Sequence, residues 1–257
     1  MNAHAELDFR QRLRAKVPLV GTMLKTPACQ ATEILSNVGF DFVVVDQEHS
    51  PFDRGTTDLI LLAGRAVRIP VLVRVPAIEM ALSACDGGAN GVIVPHVASA
   101  TYARSAAASC RYKGGSRGYA TSTRAGGYSA ASMGRHTRES DAKMTVIVQI
   151  EDLSGVEEIA AIAAVEGVDA LFIGRNDLAC AFGDDSADSP RVREAVEDIA
   201  AAARSAEKTL GVFVSSMAEI EWLKALGATL FIFSSDHGFL RVGAAQALSQ
   251  ARSILGA

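Results

Sequence analysis

Glu151 and Asp177 are two carboxylates 26 positions apart, one strand-helix-strand step in an alternating β/α chain. At the ends of neighbouring strands both would project into one mouth, where they repel unless a cation lies between them. Oxygen-only ligands suit a divalent ion, Mg2+ or Mn2+ with Co2+ also accepted, and argue against zinc in a His- or Cys-rich site. The plain alternatives are an acid pair sharing one proton or two helix caps. Arg74, closing the apolar run Val71 to Val73, offers a permanently charged fork for a carboxylate or a developing enolate oxygen. Its plain alternative is an ion pair with a carboxylate such as Glu48. His49 follows the apolar run Phe42 to Val45 and lies close to Asp46, whose carboxylate would raise its basicity and fix its tautomer, as a general base needs. Gln149 joins Glu151 at the end of a further run. Each alone has a bland reading; their shared place at the ends of apolar runs is what points to a reaction centre.

Those ends belong to eight short β-branched segments: Val17 to Met23, Phe42 to Val45, Val71 to Arg74, Gly91 to Val94, Thr145 to Ile150, Leu171 to Ile173, Leu210 to Val214 and Leu230 to Phe233. Nearly continuous apolar strands imply burial on both faces, as in a parallel sheet covered by helices. Between them Ala31 to Asn37, Thr57 to Val67, Ser99 to Cys110, Val156 to Ala164, Val192 to Ala206 and Ala218 to Leu226 have the spacing of crossover helices. Eight β/α units predict an α/β fold of the (β/α)8 TIM barrel type in a single domain spanning 1–257, with a doubly wound open sheet as the competitor. In a barrel, reacting groups sit at the C-terminal ends of the strands. The Gly-, Ser- and Arg-rich stretch Lys113 to Arg138 is a long loop that either closes over an anionic substrate or is a surface insertion. Arg241 to Leu255 is a final amphipathic helix that either closes the barrel or packs on a neighbouring subunit.

Composition narrows the function further. The 257 residues are 49% hydrophobic and 21% charged, with a formal net charge of -4, as in an ordinary globular protein. A pI near 5.8 and no basic run remove the footprint of nucleic-acid binding. No apolar stretch reaches the ~18 residues of a membrane span, and the polar start Met1 to Arg14 has no signal-like apolar core, so a cytoplasmic protein with no membrane partner is expected. Cys29, Cys85, Cys110 and Cys180 form no C-x-x-C pair and sit in Ala-rich surroundings, which predicts buried structural thiols.

Five segments in order, Gly39-Phe-Asp-Phe-Val-Val-Val-Asp-Gln-Glu-His49, Val73-Arg-Val-Pro76, Asp86-Gly-Gly-Ala-Asn-Gly-Val-Ile-Val-Pro95, Val148-Gln-Ile-Glu151 and Val168-Asp-Ala-Leu-Phe-Ile-Gly-Arg-Asn-Asp-Leu178, resemble the HpcH/HpaI aldolases across essentially the whole chain. That resemblance implies a metal-dependent class II pyruvate aldolase, of the 4-hydroxy-2-oxoheptanedioate or 2-dehydro-3-deoxy sugar-acid type. It implies a barrel whose C-terminal helix is exchanged between subunits, commonly in a homohexamer. Carried over, Glu151 and Asp177 hold the ion, His49 is the base or its partner, and Arg74 stabilises the enolate. Asp86 tunes the histidine, often from an adjacent subunit, or Asp46 does so from the same chain. Gln149 and the backbone of Gly174, Arg175, Asn176 and Asp177 meet the pyruvate carboxylate, as helix-start N-H groups suit an anion. Two departures stand out: Gly174-Arg175-Asn176-Asp177-Leu178 replaces Gly-Pro-x-Asp-Leu, and Gly115-Ser-Arg-Gly-Tyr-Ala120 carries Tyr119 and Ala120 at variable positions. The added cation at Arg175 either reads a phosphate or second carboxylate on the partner substrate or points to solvent.

The implied reaction is reversible cleavage of a 4-hydroxy-2-oxo acid to pyruvate and an aldehyde through a metal-bound pyruvate enolate. The alternatives are a Schiff-base aldolase, for which Lys25 alone is near a strand end, a citrate-synthase-like condensation of an acyl-CoA with oxaloacetate, and a non-catalytic metabolite-binding protein.

Overall fold

A computed structural model describes residues 7–256; the first six residues of the polar start, and the outermost positions of the expected domain, lie outside them. Eight parallel strands close in sequence order: β1 (Leu19–Leu24), β2 (Phe42–Asp46), β3 (Val71–Arg74), β4 (Gly91–Val94), β5 (Thr145–Ile150), β6 (Ala170–Ile173), β7 (Thr209–Val214) and β8 (Ala228–Ser235). β8 pairs with β1, so the open sheet is excluded and the fold is a (β/α)8 TIM barrel.

The two-residue period of the strands decides what enters the barrel. Phe42 and Val44 of β2, Leu72 of β3, Ile93 of β4, Ile147 of β5, Phe172 of β6 and Leu230 and Ile232 of β8 pack together inside. Val43, Val45, Val71, Val73, Val146, Val148, Leu171 and Ile173 face the helices instead. Continuing the inward phase past each apolar run reaches Lys25, Asp46, Arg74, Gln149, Glu151, Gly174 and Ser215 at the C-terminal mouth. The sequence alternation that builds the core therefore also aims the polar set. Gly21 of β1 belongs to this packing, because a Cβ there would lie 2.5 Å from the Phe42 ring.

The N-terminal mouth is plugged by α1 (Phe9–Arg14). Phe9 and Leu13 enter the inner core, Phe9 tilted against Phe42 at 5.3 Å between ring centroids. Arg10 and Arg14 converge on the fully buried side chain of Asp169, at 3.0 and 3.1 Å. An opening of the chain that composition presents as a polar lead is thus the floor of the barrel.

The outer layer comprises α2 (Cys29–Val38), α3 (Arg54–Val67), a 3-10 turn (Ile78–Met80), α4 (Ala81–Gly87), α5 (Ala100–Ser109), α6 (Met133–Lys143), α7 (Leu153–Glu157), α8 (Ile159–Ala163), α9 (Arg175–Phe182), α10 (Pro190–Ser205), α11 (Ala218–Ala225) and α12 (Asp236–Leu255). The helix expected over Val156 to Ala164 is two short ones, broken at Glu158, whose carboxylate accepts the N-H of Ala100 at the start of α5. The long basic segment ends in α6. Its Arg117 is tied to Asp86 of α4 at 3.0 Å and stacks over Tyr112, and its Arg124 is tied to Asp58 of α3, so these cations brace the outer helices. The expectation for the cysteines is half corrected: Cys85 and Cys110 are buried, whereas Cys29 is half-buried and Cys180 exposed on α9. Helix α12 buries no residue and leaves Leu240, Val242, Leu248, Ile254 and Leu255 exposed. Among the described residues no helix is long and apolar enough to cross a membrane.

Candidate active site

A cavity of about 290 Å3 opens at the C-terminal mouth, and its wall includes His49, Arg74, Gln149, Gly174, Asn176 and Asp177. Its floor is apolar, from Met23, Phe172 and Phe213. Asp46 and Arg74 are neighbours across β2 and β3, and Arg74 donates from Nε and Nη2 to Asp46 Oδ1 at 3.0 and 2.8 Å. Lys25 Nζ donates to the other oxygen at 2.6 Å. Burial pushes the Asp46 carboxyl up, but Arg74 and then Lys25 outweigh it and hold the group below the ordinary aspartate range. Lys25 is therefore a paired ammonium, the opposite of the desolvated amine that Schiff-base chemistry requires.

His49 is reached by Asp46 only through its backbone N-H, at 3.2 Å. Its exposed ring instead has Glu48 beside it, with Nε2 3.6 Å from Oε2. Glu48 also stands 3.1 Å from Arg74 Nη1, so the ion pair weighed for Arg74 is present alongside the Asp46 contact. Asp86 faces an outer groove with Arg54, Thr57 and Asp58, away from this chain's mouth cavity.

Glu151 is 3% exposed and receives donors on both oxygens, the backbone N-H of His96 at 2.7 Å and the side-chain amide of Gln149. Burial raises its pKa above the usual glutamate value; the His96 and Gln149 donors lower it, and the charge of Asp177 raises it again. Gly174 makes this packing possible, since a Cβ there would meet Glu151 Cβ and Oε2 at 2.7 Å. Asp177 is in the first turn of α9 and lines the same cavity.

His96, just past β4, was not singled out by sequence, although Val94-Pro95-His96 has the same strand-end position as the residues that were. Its backbone is left-handed at φ 53, an uncommon state for a non-glycine residue that aims its N-H at Glu151. Its ring is within 3.6 Å of Glu48, 3.5 Å of Glu151 and 3.2 Å of Asp152. Burial lowers the ring's pKa, but Glu151, Asp152 and Glu48 together raise it above the ordinary histidine value. One ligand atom each from Glu48, His96 and Glu151 lies within 4.8 Å of the others. The buried Gln149 Oε1 has no hydrogen-bond partner beside them. Crowded carboxylates, one of them destabilised by burial and a like charge, with an orphaned amide oxygen alongside, fit a divalent cation.

Arg175 does not point to solvent. It is 7% exposed, and its guanidinium donates to Glu219 Oε2 at 2.6 Å and Asp188 Oδ1 at 3.4 Å.

Residues 23–241 match the family model for HpcH/HpaI aldolase/citrate lyase. A 5-keto-4-deoxy-D-glucarate aldolase of Enterobacter sp. (strain 638) is 34% identical over 237 residues, covering 91% of this chain and 92% of that one. A hydroxypyruvate/pyruvate aldolase of Paraburkholderia phytofirmans is 34% identical over 257 residues, covering 95% and 97%. Among solved structures, the citrate synthase SbnG superposes with a TM-score of 0.89 at 26% identity, covering 98% of this chain and 100% of that chain. With a family match over most of its length and aldolase relatives end to end, the chain belongs to the HpcH/HpaI aldolase/citrate lyase family and is a carbon-carbon lyase of the aldolase kind.

Proposed function

We propose that this aldolase reversibly cleaves a 4-hydroxy-2-oxo acid to pyruvate and an aldehyde, with Glu151 and Asp177 holding a divalent cation. The observation that carries the reading is convergence: His49, Arg74, Gln149 and Asp177 line one cavity that Glu151 borders. The cation supplies Lewis acidity toward the keto oxygen of the substrate. The N-H groups opening α9 lack acceptors within the helix and receive the substrate carboxylate. Asp46 holds the Nε-Nη2 edge of Arg74 and Glu48 stands 3.1 Å from Nη1, so the guanidinium is oriented from both sides and the second N-H of Nη1 serves the developing enolate oxygen. His49 takes the methyl proton, the released electron pair forms the bond to the aldehyde carbon, and the aldehyde's carbonyl pair moves onto its oxygen, which takes the proton back from His49; cleavage reverses these steps. Gln149 and His96 orient Glu151 through its two oxygens.

Proton NMR of pyruvate in D2O tests this without the native aldehyde. Methyl signal should disappear with Mg2+, Mn2+ or Co2+, persist with chelator, and persist in Arg74→Ala; no exchange with any metal overturns the reading. The first aldol donors and acceptors to screen are those named by the relatives, hydroxypyruvate and the cleavage products of 5-keto-4-deoxy-D-glucarate. The likeness to a citrate synthase favours a second reading, condensation of an acyl-CoA with oxaloacetate, which predicts CoA release instead.

The exposed apolar side chains of α12 support its exchange with another copy in a homo-oligomer, a hexamer by family resemblance, which light scattering would measure. The four free cysteines accord with a reducing cytoplasm.

A further inference from the structure

The cavity has a second charged feature that the pyruvate chemistry does not use. Arg175 and Glu219, 44 positions apart, form an ion pair at 2.6 Å in its wall, beside Ser215 and Ala187. Glu219 is fixed from α11: Ser215 donates to it from its backbone N-H and its hydroxyl, both at 3.1 Å. Asp188 adds a second carboxylate at 3.4 Å from Arg175 Nη1. The guanidinium charge is thus neutralised within the wall. That wall therefore presents the Glu219 carboxylate and no net positive charge.

A hydroxyl group can donate to Glu219, whereas a carboxylate or an ionised phosphate finds the guanidinium already held by Glu219 and Asp188 and is repelled by Glu219. Resting on the aldolase reading, we infer that the Arg175-Glu219 pair is the specificity element for the aldehyde, selecting an uncharged, hydroxylated tail and rejecting an anionic one. The charge added by the departure at Arg175 is cancelled by its partners. Selectivity comes from leaving an anion beside Glu219, a repulsion large enough to change relative rates by tenfold or more.

The test compares kcat/KM for addition of pyruvate to D-glyceraldehyde and to succinic semialdehyde, in the metal-loaded wild type, Glu219→Gln and Asp188→Asn. Wild type should prefer glyceraldehyde. Glu219→Gln keeps an acceptor for Arg175 and removes the charge, so the ratio should move toward the semialdehyde by about tenfold or more. Asp188→Asn, at a half-exposed position, should move it the same way by less, and decides the matter if Glu219→Gln does not fold. A wild type preferring the semialdehyde, or a ratio unmoved in the folded variants, overturns the inference. Loss of pyruvate methyl exchange in the wild type would instead overturn the aldolase reading, so the two failures are distinguishable.

Discussion

Arg74 and Asp46 stand opposite each other on β3 and β2, and one oxygen of the aspartate accepts both Nε and Nη2 of the arginine. The fork is consequently locked before any substrate arrives, which is the condition for electrostatic stabilisation without reorganisation. Arg74→Lys keeps the charge and loses the two-point hold. Pyruvate methyl exchange should fall on the order of a hundredfold while the melting temperature changes little; exchange at the wild-type rate would show that the fork is dispensable.

Asp46 carries the opposite charge of the same lock. Its folded pKa lies below its unfolded one, so the unfolded chain binds the extra proton in acid. The stabilisation is present above the ordinary aspartate range and is lost as pH falls through the folded value. Asp46→Asn, which strands Lys25 and leaves Arg74 with Glu48 alone, should cost about 3 kcal/mol at neutral pH. Urea unfolding at descending pH should show the difference from wild type shrinking only in strong acid.

The proposed ion-holding pair joins Glu151 to Asp177, while Glu151 also stands in a cluster with Glu48 and His96 whose ligand atoms lie within 4.8 Å of one another. With Mn2+ and electron paramagnetic resonance as the readout, Asp177→Ala and Glu151→Gln should abolish tight binding. His96→Ala, which removes only an outer contact, should weaken it about tenfold. Equal loss in His96→Ala and Glu151→Gln would place the ion in the histidine-containing set.

Gly174→Ala tests the close approach behind the site. Its Cβ would overlap Glu151 at 2.7 Å, so metal affinity and exchange should both fall in a protein that still folds.

At the opposite mouth, Asp169 is fully buried among Arg10, Arg14 and Arg111. Asp169→Asn should lose about 3–5 kcal/mol of stability, read by urea unfolding, and leave the pyruvate exchange rate of folded protein unchanged.

Much of this was legible in the chain. Eight β-branched runs separated by helical stretches specify a parallel sheet, because each run is too short and too apolar to be covered except by neighbours and helices on both faces, and the pairing of β8 with β1 decided its closure. The polar residue ending each run, in phase with the inward side chains, locates Asp46, Arg74, Gln149 and Glu151 at one mouth by period alone. Tertiary structure decided the partners. Asp46 went to Arg74 and Lys25, and left the His49 ring to Glu48, because closure brings three strand ends together and the two cations compete successfully for one buried carboxylate. His96 became visible only when its left-handed backbone turned it toward Glu151. Arg175, an unpaired cation by sequence, proved neutralised by Glu219 and Asp188, since pairing depends on distances between loops that no local pattern encodes. Residue types and strand ends determined what chemistry the chain could do, and the closed barrel determined which charges remain free to do it.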